Sequence, residues 1–194
     1  MVKAWLKLMV MVPWVLVLGL ALPLAAAEFT AQMVLKDRDQ VVPGRLYVKD
    51  GKLRHEFLDE SGHTITIVRK DKRLIWVLMP FDKTYQEIRL GLRLPGQFLE
   101  IPPEVRSRRK TGTETLEGYQ TEKYECLVPG GEWGLTRHTY WVSDKLGMPL
   151  KLSMPDKQIT VEYRNIKEGP VADRLFEVPP GYRRIPGPGD RGRP

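Results

Sequence analysis

The chain has 194 residues, 31 lysines and arginines against 24 aspartates and glutamates, a formal charge of +7 and one cysteine. That length fits one domain rather than several. The lone thiol, Cys126, excludes an internally disulfide-stapled scaffold; its expected place is a small buried position on a strand, with pairing between chains as the alternative.

The first element is a leader. Lys3 and Lys7 precede an uncharged run over residues 8–27 that ends in "LPLAAA". A basic front, an apolar core and small residues at Ala25 and Ala27 are the parts of a secretory signal peptide. Cleavage is expected between Ala27 and Glu28, leaving a domain over residues 28–185 and a tail over 186–194 with nothing to bury. An uncleaved anchor is the alternative, which Pro13 and Pro23 disfavour. The expected location is periplasmic.

From Glu28 the apolar residues recur with period two. In "EFTAQMVLK", Phe29, Ala31, Met33 and Leu35 share one face, which reads as a half-buried strand. "GRLYVKDGKLRHEF" reads as a hairpin turning at Asp50-Gly51, because glycine takes the positive φ of a tight turn. In "HTITIVRKDKRLIWVLMP", Ile65 and Ile67 alternate with threonines, "RKDK" turns, and residues 74–79 form a continuous apolar strand stopped by Pro80. "TETLEGYQTEKYECLV" holds two strands about Gly118. "LTRHTYWVS", "MPLKLSM" and "QITVEYRNIKEG" follow as strands. No long stretch shows an apolar stripe at helical spacing, so the fold class is mainly β.

Two segments break the rhythm. Residues 88–110 carry Leu92, Leu94, Phe98 and Leu99 among glycines and prolines, either as a packed loop or as a movable lid. That segment ends in Arg106, Arg108, Arg109 and Lys110, read as a solvated basic loop or as a contact for anionic lipid head groups. "RLFEVPPGYRRI", residues 174–185, reads as the closing strand of the sheet. Pro179 has no backbone donor, so it ends that strand.

Catalytic signatures are missing from the sequence. His55, His63 and His138 are scattered without zinc spacing, and neither a nucleophile elbow nor a phosphate or dinucleotide loop is present. No catalytic residue, metal or cofactor is assigned. Glu114, Glu117, Glu122 and Glu125 read as a solvated strand face. An exported chain without aromatic-interleaved basic strands gives no reason to expect nucleic acid.

The strand from Gly44 to Lys49, the strand-turn-strand with Trp76 followed by Pro80, and Phe176 followed by Pro179-Pro180-Gly181 occur in an order that resembles the LolA/LolB-like periplasmic carriers. The resemblance implies a single curved antiparallel sheet forming an incomplete, half-open barrel with a loop or short-helix cover. It also implies a concave apolar side that holds a lipid or the acyl chains of a lipoprotein. Two departures stand against a full transfer: no helix precedes the first strand, and Asp50 stands where the carriers place an arginine that helps hold the lid. By alternation, Leu46, Val48, Phe57, Ile65, Ile67, Trp76, Leu78 and Trp141 are the expected lining. The expected protein is a monomeric, non-enzymatic carrier that meets lipid and an envelope membrane surface. The alternative is a protein-interaction or sensor module whose sheet is filled by its own side chains.

Overall fold

In the computed structural model the described residues are 27–59, 62–90, 100–130 and 134–187. The expected leader up to residue 26, the tail from residue 188, and Leu92, Leu94, Phe98 and Leu99 lie outside them.

Tight turns set the strand phases. Asp50 and Gly51 take φ of 50° and 71°, and Glu117 and Gly118 take 51° and 80°. Positive φ at both central residues gives a turn whose twist matches the flanking strands. Successive antiparallel pairings join β1 (Phe29–Asp37), β2 (Gln40–Lys49), β3 (Lys52–Asp59), β4 (Gly62–Arg69), β5 (Leu74–Met79) and β6 (Thr84–Arg89) into one meander. A second meander runs through β7 (Ser107–Leu116), β8 (Tyr119–Pro129), β9 (Leu135–Ser143), β10 (Met148–Met154) and β11 (Ile159–Glu168). The two meanders meet where β1 pairs with β11, antiparallel, from Phe29 opposite Glu168 to Asp37 opposite Ile159. The result is a 12-stranded sheet in the order β12-β6-β5-β4-β3-β2-β1-β11-β10-β9-β8-β7. Its end strands do not pair with each other, so the barrel stays open, as expected for the fold class.

The sheet bends strongly. His55 on β3 and Tyr163 on β11 lie three ladder steps apart, which would separate them by about 14 Å in a flat sheet. Their side chains nevertheless meet at 2.8 Å. Between them the concave face carries Leu46 and Ala31 in register with His55, and Met33 and Gly44 in register with Tyr163.

The C-terminal segment departs from the expected closing strand. After β11 both of its lateral positions are taken, by β1 and β10, so the chain must leave the sheet. It makes a 3₁₀ turn at Asp173–Phe176 and crosses the convex face. It rejoins as the two-residue β12 (Arg183–Arg184), which pairs parallel with β6 at Thr84 and Tyr85. Pro179 and Gly181 form the bend between these pieces, with Tyr182 N–H donating to the Pro179 carbonyl at 3.4 Å.

Candidate functional site: the concave face and its strap-covered reverse

Register decides which side chains share a surface. Phe29 opposes Val48, Val48 opposes Leu53, Leu53 opposes Val68, Val68 opposes Ile75, and Ile75 opposes Ile88. This row faces the concave side, where it joins Met33, Leu152, Val161, Tyr140 and Cys126 in one apolar cluster. Phe29, Leu46, Ile75 and Val161 are 0% exposed, so the interior is filled by the chain's own side chains. Burial also pushes the Cys126 thiol up in pKa, as befits an inert strand position.

The expected lining residues do not share one face. Leu46 and Val48 lie in the concave cluster, with half-buried Phe57 packed against it. Ile65, Ile67, Trp76 and Leu78 sit in the opposite phase and form a second cluster with Val171 and Phe176. The correction has a simple cause. β4 and β5 are apolar on both faces, since the C-terminal segment covers their convex side, so alternation alone cannot say which face is concave. Trp141 is also on the convex side, opposite Lys123 on β8 and Lys151 on β10. Its indole N–H donates to Glu114 Oε2 at 2.6 Å, and the Lys123 and Lys151 ammonium groups lie 4.9 and 5.1 Å from its ring centroid.

Charge fixes the segment that covers the convex face. Arg69, with a side chain only 6% exposed, forms a two-pronged pair with Asp71 at 2.9 and 2.6 Å. It also donates to the Phe176 carbonyl at 3.0 Å and pairs with Glu177. The Asp71 contact holds Arg69 well above its ordinary pKa, and in return Arg69 holds Asp71 at about 2. Arg54 donates to the Leu175 carbonyl at 3.0 Å, and Lys49 and Lys52 pair with Asp173 at 3.2 and 3.3 Å.

The basic run is not a loop: residues 107–110 open β7, an exposed edge strand. Its charges split between the two sides of the sheet. On the concave side, Arg108 lies 4.0 Å from the Tyr124 ring centroid and Lys110 pairs with Glu122. Arg109 pairs with Glu125 at 2.8 Å on the convex side. Arg106 precedes the strand and donates its backbone N–H to the Leu127 carbonyl at 2.8 Å. A polar cleft of about 730 Å³ lies nearby, lined by Lys110, Tyr119, Glu122, Asp144, Lys145 and Glu168. Its charges are largely consumed internally: Lys145 pairs with Glu168 at 2.6 Å, and Tyr119 donates to the same carboxylate at 2.7 Å.

The mouth of the open sheet is the feature that organises the site. The strand after β6 is β7; β7 ends the strand order on one side, and β6 stands next to the end strand β12 on the other. The connection between them therefore begins on one arm and ends on the other. Leu90, Ile101 and Val105 along it pack against the concave cluster. The fold is the single open, curved sheet expected from the sequence.

No family model matches the chain, and no curated protein matches it. Among solved structures, an uncharacterized conserved protein from Thermus thermophilus is 12% identical, covering 84% of this chain and 93% of that one, with a TM-score of 0.60. At that identity the likeness shows a shared fold. The Pseudomonas aeruginosa MucA/MucB complex is also 12% identical, with 78% of this chain and 56% of that one covered and a TM-score of 0.48. A LolA superfamily protein from Nitrosomonas europaea is 12% identical over 80% and 91% of the two chains, with a TM-score of 0.37.

Sequence reasoning passed over His55 and Tyr163, which meet inside the concave face. The signal was there in "KLRHEF": His55 alternates in phase with Leu53 and Phe57, so a polar ring had to enter the apolar side. Among the described residues, no group of three or more His, Cys, Asp or Glu side chains could hold a metal ion.

Proposed function

We propose that the chain is a non-enzymatic envelope protein, exported by the leader at residues 1–27, that holds a lipid or the acyl part of a lipidated protein on its concave face. The observation that carries this reading is that Leu90, Ile101 and Val105, at the two ends of the connection between β6 and β7, pack on the same apolar cluster as Leu46 and Val48. Cover and interior share one apolar surface. Lifting the cover exposes a lining on which each buried methylene of a ligand contributes about 0.8 kcal/mol, with no catalytic group required. Leu92, Leu94, Phe98 and Leu99 are assigned to that cover. The basic residues Arg106, just before the edge strand β7, and Arg108, Arg109 and Lys110 on it are assigned to contact with anionic head groups.

Native mass spectrometry of protein purified from the envelope tests the reading. Co-purified lipid, or uptake of added monopalmitoylglycerol, is the expected result. Lipid-free protein that takes up none overturns it.

The filled interior favours a second reading. With Phe29, Leu46 and Ile75 fully buried, the sheet also suits a protein-interaction module that never opens. In that case amides of residues 90–106 exchange at the same rate with and without acyl ligand.

A further inference from the structure

His55 and Tyr163 are each 2% exposed, and His55 Nε2 lies 2.8 Å from Tyr163 Oη. The imidazole stacks against the phenol ring at 5.8 Å between centroids and meets the Phe57 ring at 5.6 Å. Burial pulls His55 down to about 4, so it is neutral at neutral pH.

A neutral imidazole carries one N–H and a phenol one O–H. The pair therefore owns two donor hydrogens and makes one bond between its members. If Tyr163 donates to Nε2, the Nδ1–H of His55 is left over. If Nε2–H donates to Tyr163, the phenol O–H is left over. Neither residue has another polar contact among the described residues. Whichever tautomer is present, one buried donor lacks an acceptor, a state that costs more than a made bond returns. Two apolar side chains of the same shape would avoid that cost.

Resting on the acyl-binding reading above, we infer that the His55–Tyr163 pair is a polar anchor for the neutral ester or amide carbonyl of an acyl ligand on the concave face. A carbonyl accepts the spare donor without bringing a charge into an apolar site. A carboxylate suits it badly. The adjacent Arg54 has the opposite strand phase and is bound to the Leu175 carbonyl on the convex side.

The test is displacement of a fluorescent acyl probe by ligands that differ at one group. These are 1-monopalmitoylglycerol (ester), N-palmitoylglycinamide (amide), 1-hexadecylglycerol (no carbonyl) and palmitate. One added hydrogen bond to the carbonyl makes the ester or the amide about tenfold tighter than the ether. The double variant His55→Leu/Tyr163→Phe is expected to lose that preference, binding ester, amide and ether with equal affinity. An ester preference marks a glycerolipid and an amide preference an N-acylated chain; either supports the inference. Should the variant fail to fold, infrared spectroscopy of wild type with carbonyl-labelled monopalmitoylglycerol decides, with a lower carbonyl stretching frequency expected on binding. Equal affinity for ester, amide and ether, tighter binding of palmitate, a preference kept by the double variant, or an unshifted carbonyl band each overturns the anchor. Wild type that binds none of the four overturns the acyl-binding reading with it.

Discussion

Arg69 donates to the backbone carbonyl of Phe176 at 3.0 Å, joining the end of β4 to a segment that follows it by more than a hundred residues. A guanidinium with a side chain 6% exposed can stay charged there because Asp71 and Glu177 pair with it. Arg69→Met is therefore expected to destabilise the domain. Both acids are about half exposed and can rehydrate, so the loss should be about 2 kcal/mol rather than the larger cost of a fully buried pair. Urea unfolding followed by circular dichroism measures it.

Phe176 is 0% exposed over Ile65 and Ile67. Phe176→Ala is expected to cost about 3–5 kcal/mol, from lost burial and the cavity left behind. Ile67→Glu puts a carboxylate without water or partner beneath the same ring, and should unfold the domain rather than selectively affect ligand binding. Thermal melts of the two variants check both outcomes.

His55 gives stability a pH dependence. Its folded pKa of about 4 lies below the ordinary 6.5. Between those values the unfolded chain binds a proton that the folded chain does not, so stability rises with pH through this window and is lost as pH falls toward 4. The full change is on the order of 3 kcal/mol. Tyr163 stays protonated throughout, because burial pushes its pKa up. Urea titrations at pH 4 and pH 7 should show this difference in wild type and a smaller one in His55→Leu/Tyr163→Phe.

Gly44 is held to glycine by packing rather than by φ. A Cβ there would lie 2.6 Å from the Glu56 carbonyl oxygen and 2.7 Å from Met33 Cε. The methionine can move, but the carbonyl belongs to the β2–β3 pairing. Gly44→Ala is expected to lose about 1–3 kcal/mol. Met33→Ala in the same chain should not restore it, and a drop in melting temperature in both variants is the readout.

Much of the fold was legible in the residues because hairpins are local. Asp50-Gly51 and the turn at Gly118 fall where their glycines place them, and apolar alternation marks each flanking strand. The relative phase of neighbouring strands was harder to read. Ile67 and Val68 are both buried, on opposite faces, and the unbroken apolar run at residues 74–79 was the visible sign of a strand covered on both sides. What covers the convex side comes from the far end of the chain. "RLFEVPPGYRRI" has the composition of a strand, but β1 and β10 already occupy both sides of β11. The site was less legible than the fold. His55 and Tyr163 meet only because the sheet bends across β2 and β1, and curvature has no local signature.

The pairing of β1 with β11 puts residues near opposite ends of the chain into the middle of the sheet. A chain emerging from its N-terminus can fold β1 to β6 by local hairpins. The outer edge of β1, however, waits for residues made more than a hundred positions later. Closing a loop of that length carries an entropic cost before any contact returns it, so this seam should form late and slowly. Until then β1 presents an unpaired edge beside Phe29, Ala31 and Met33, the surface most prone to wrong pairing with another chain. A chain cut before Ile159 would keep that edge permanently, and it should be found in aggregates rather than as a smaller folded protein.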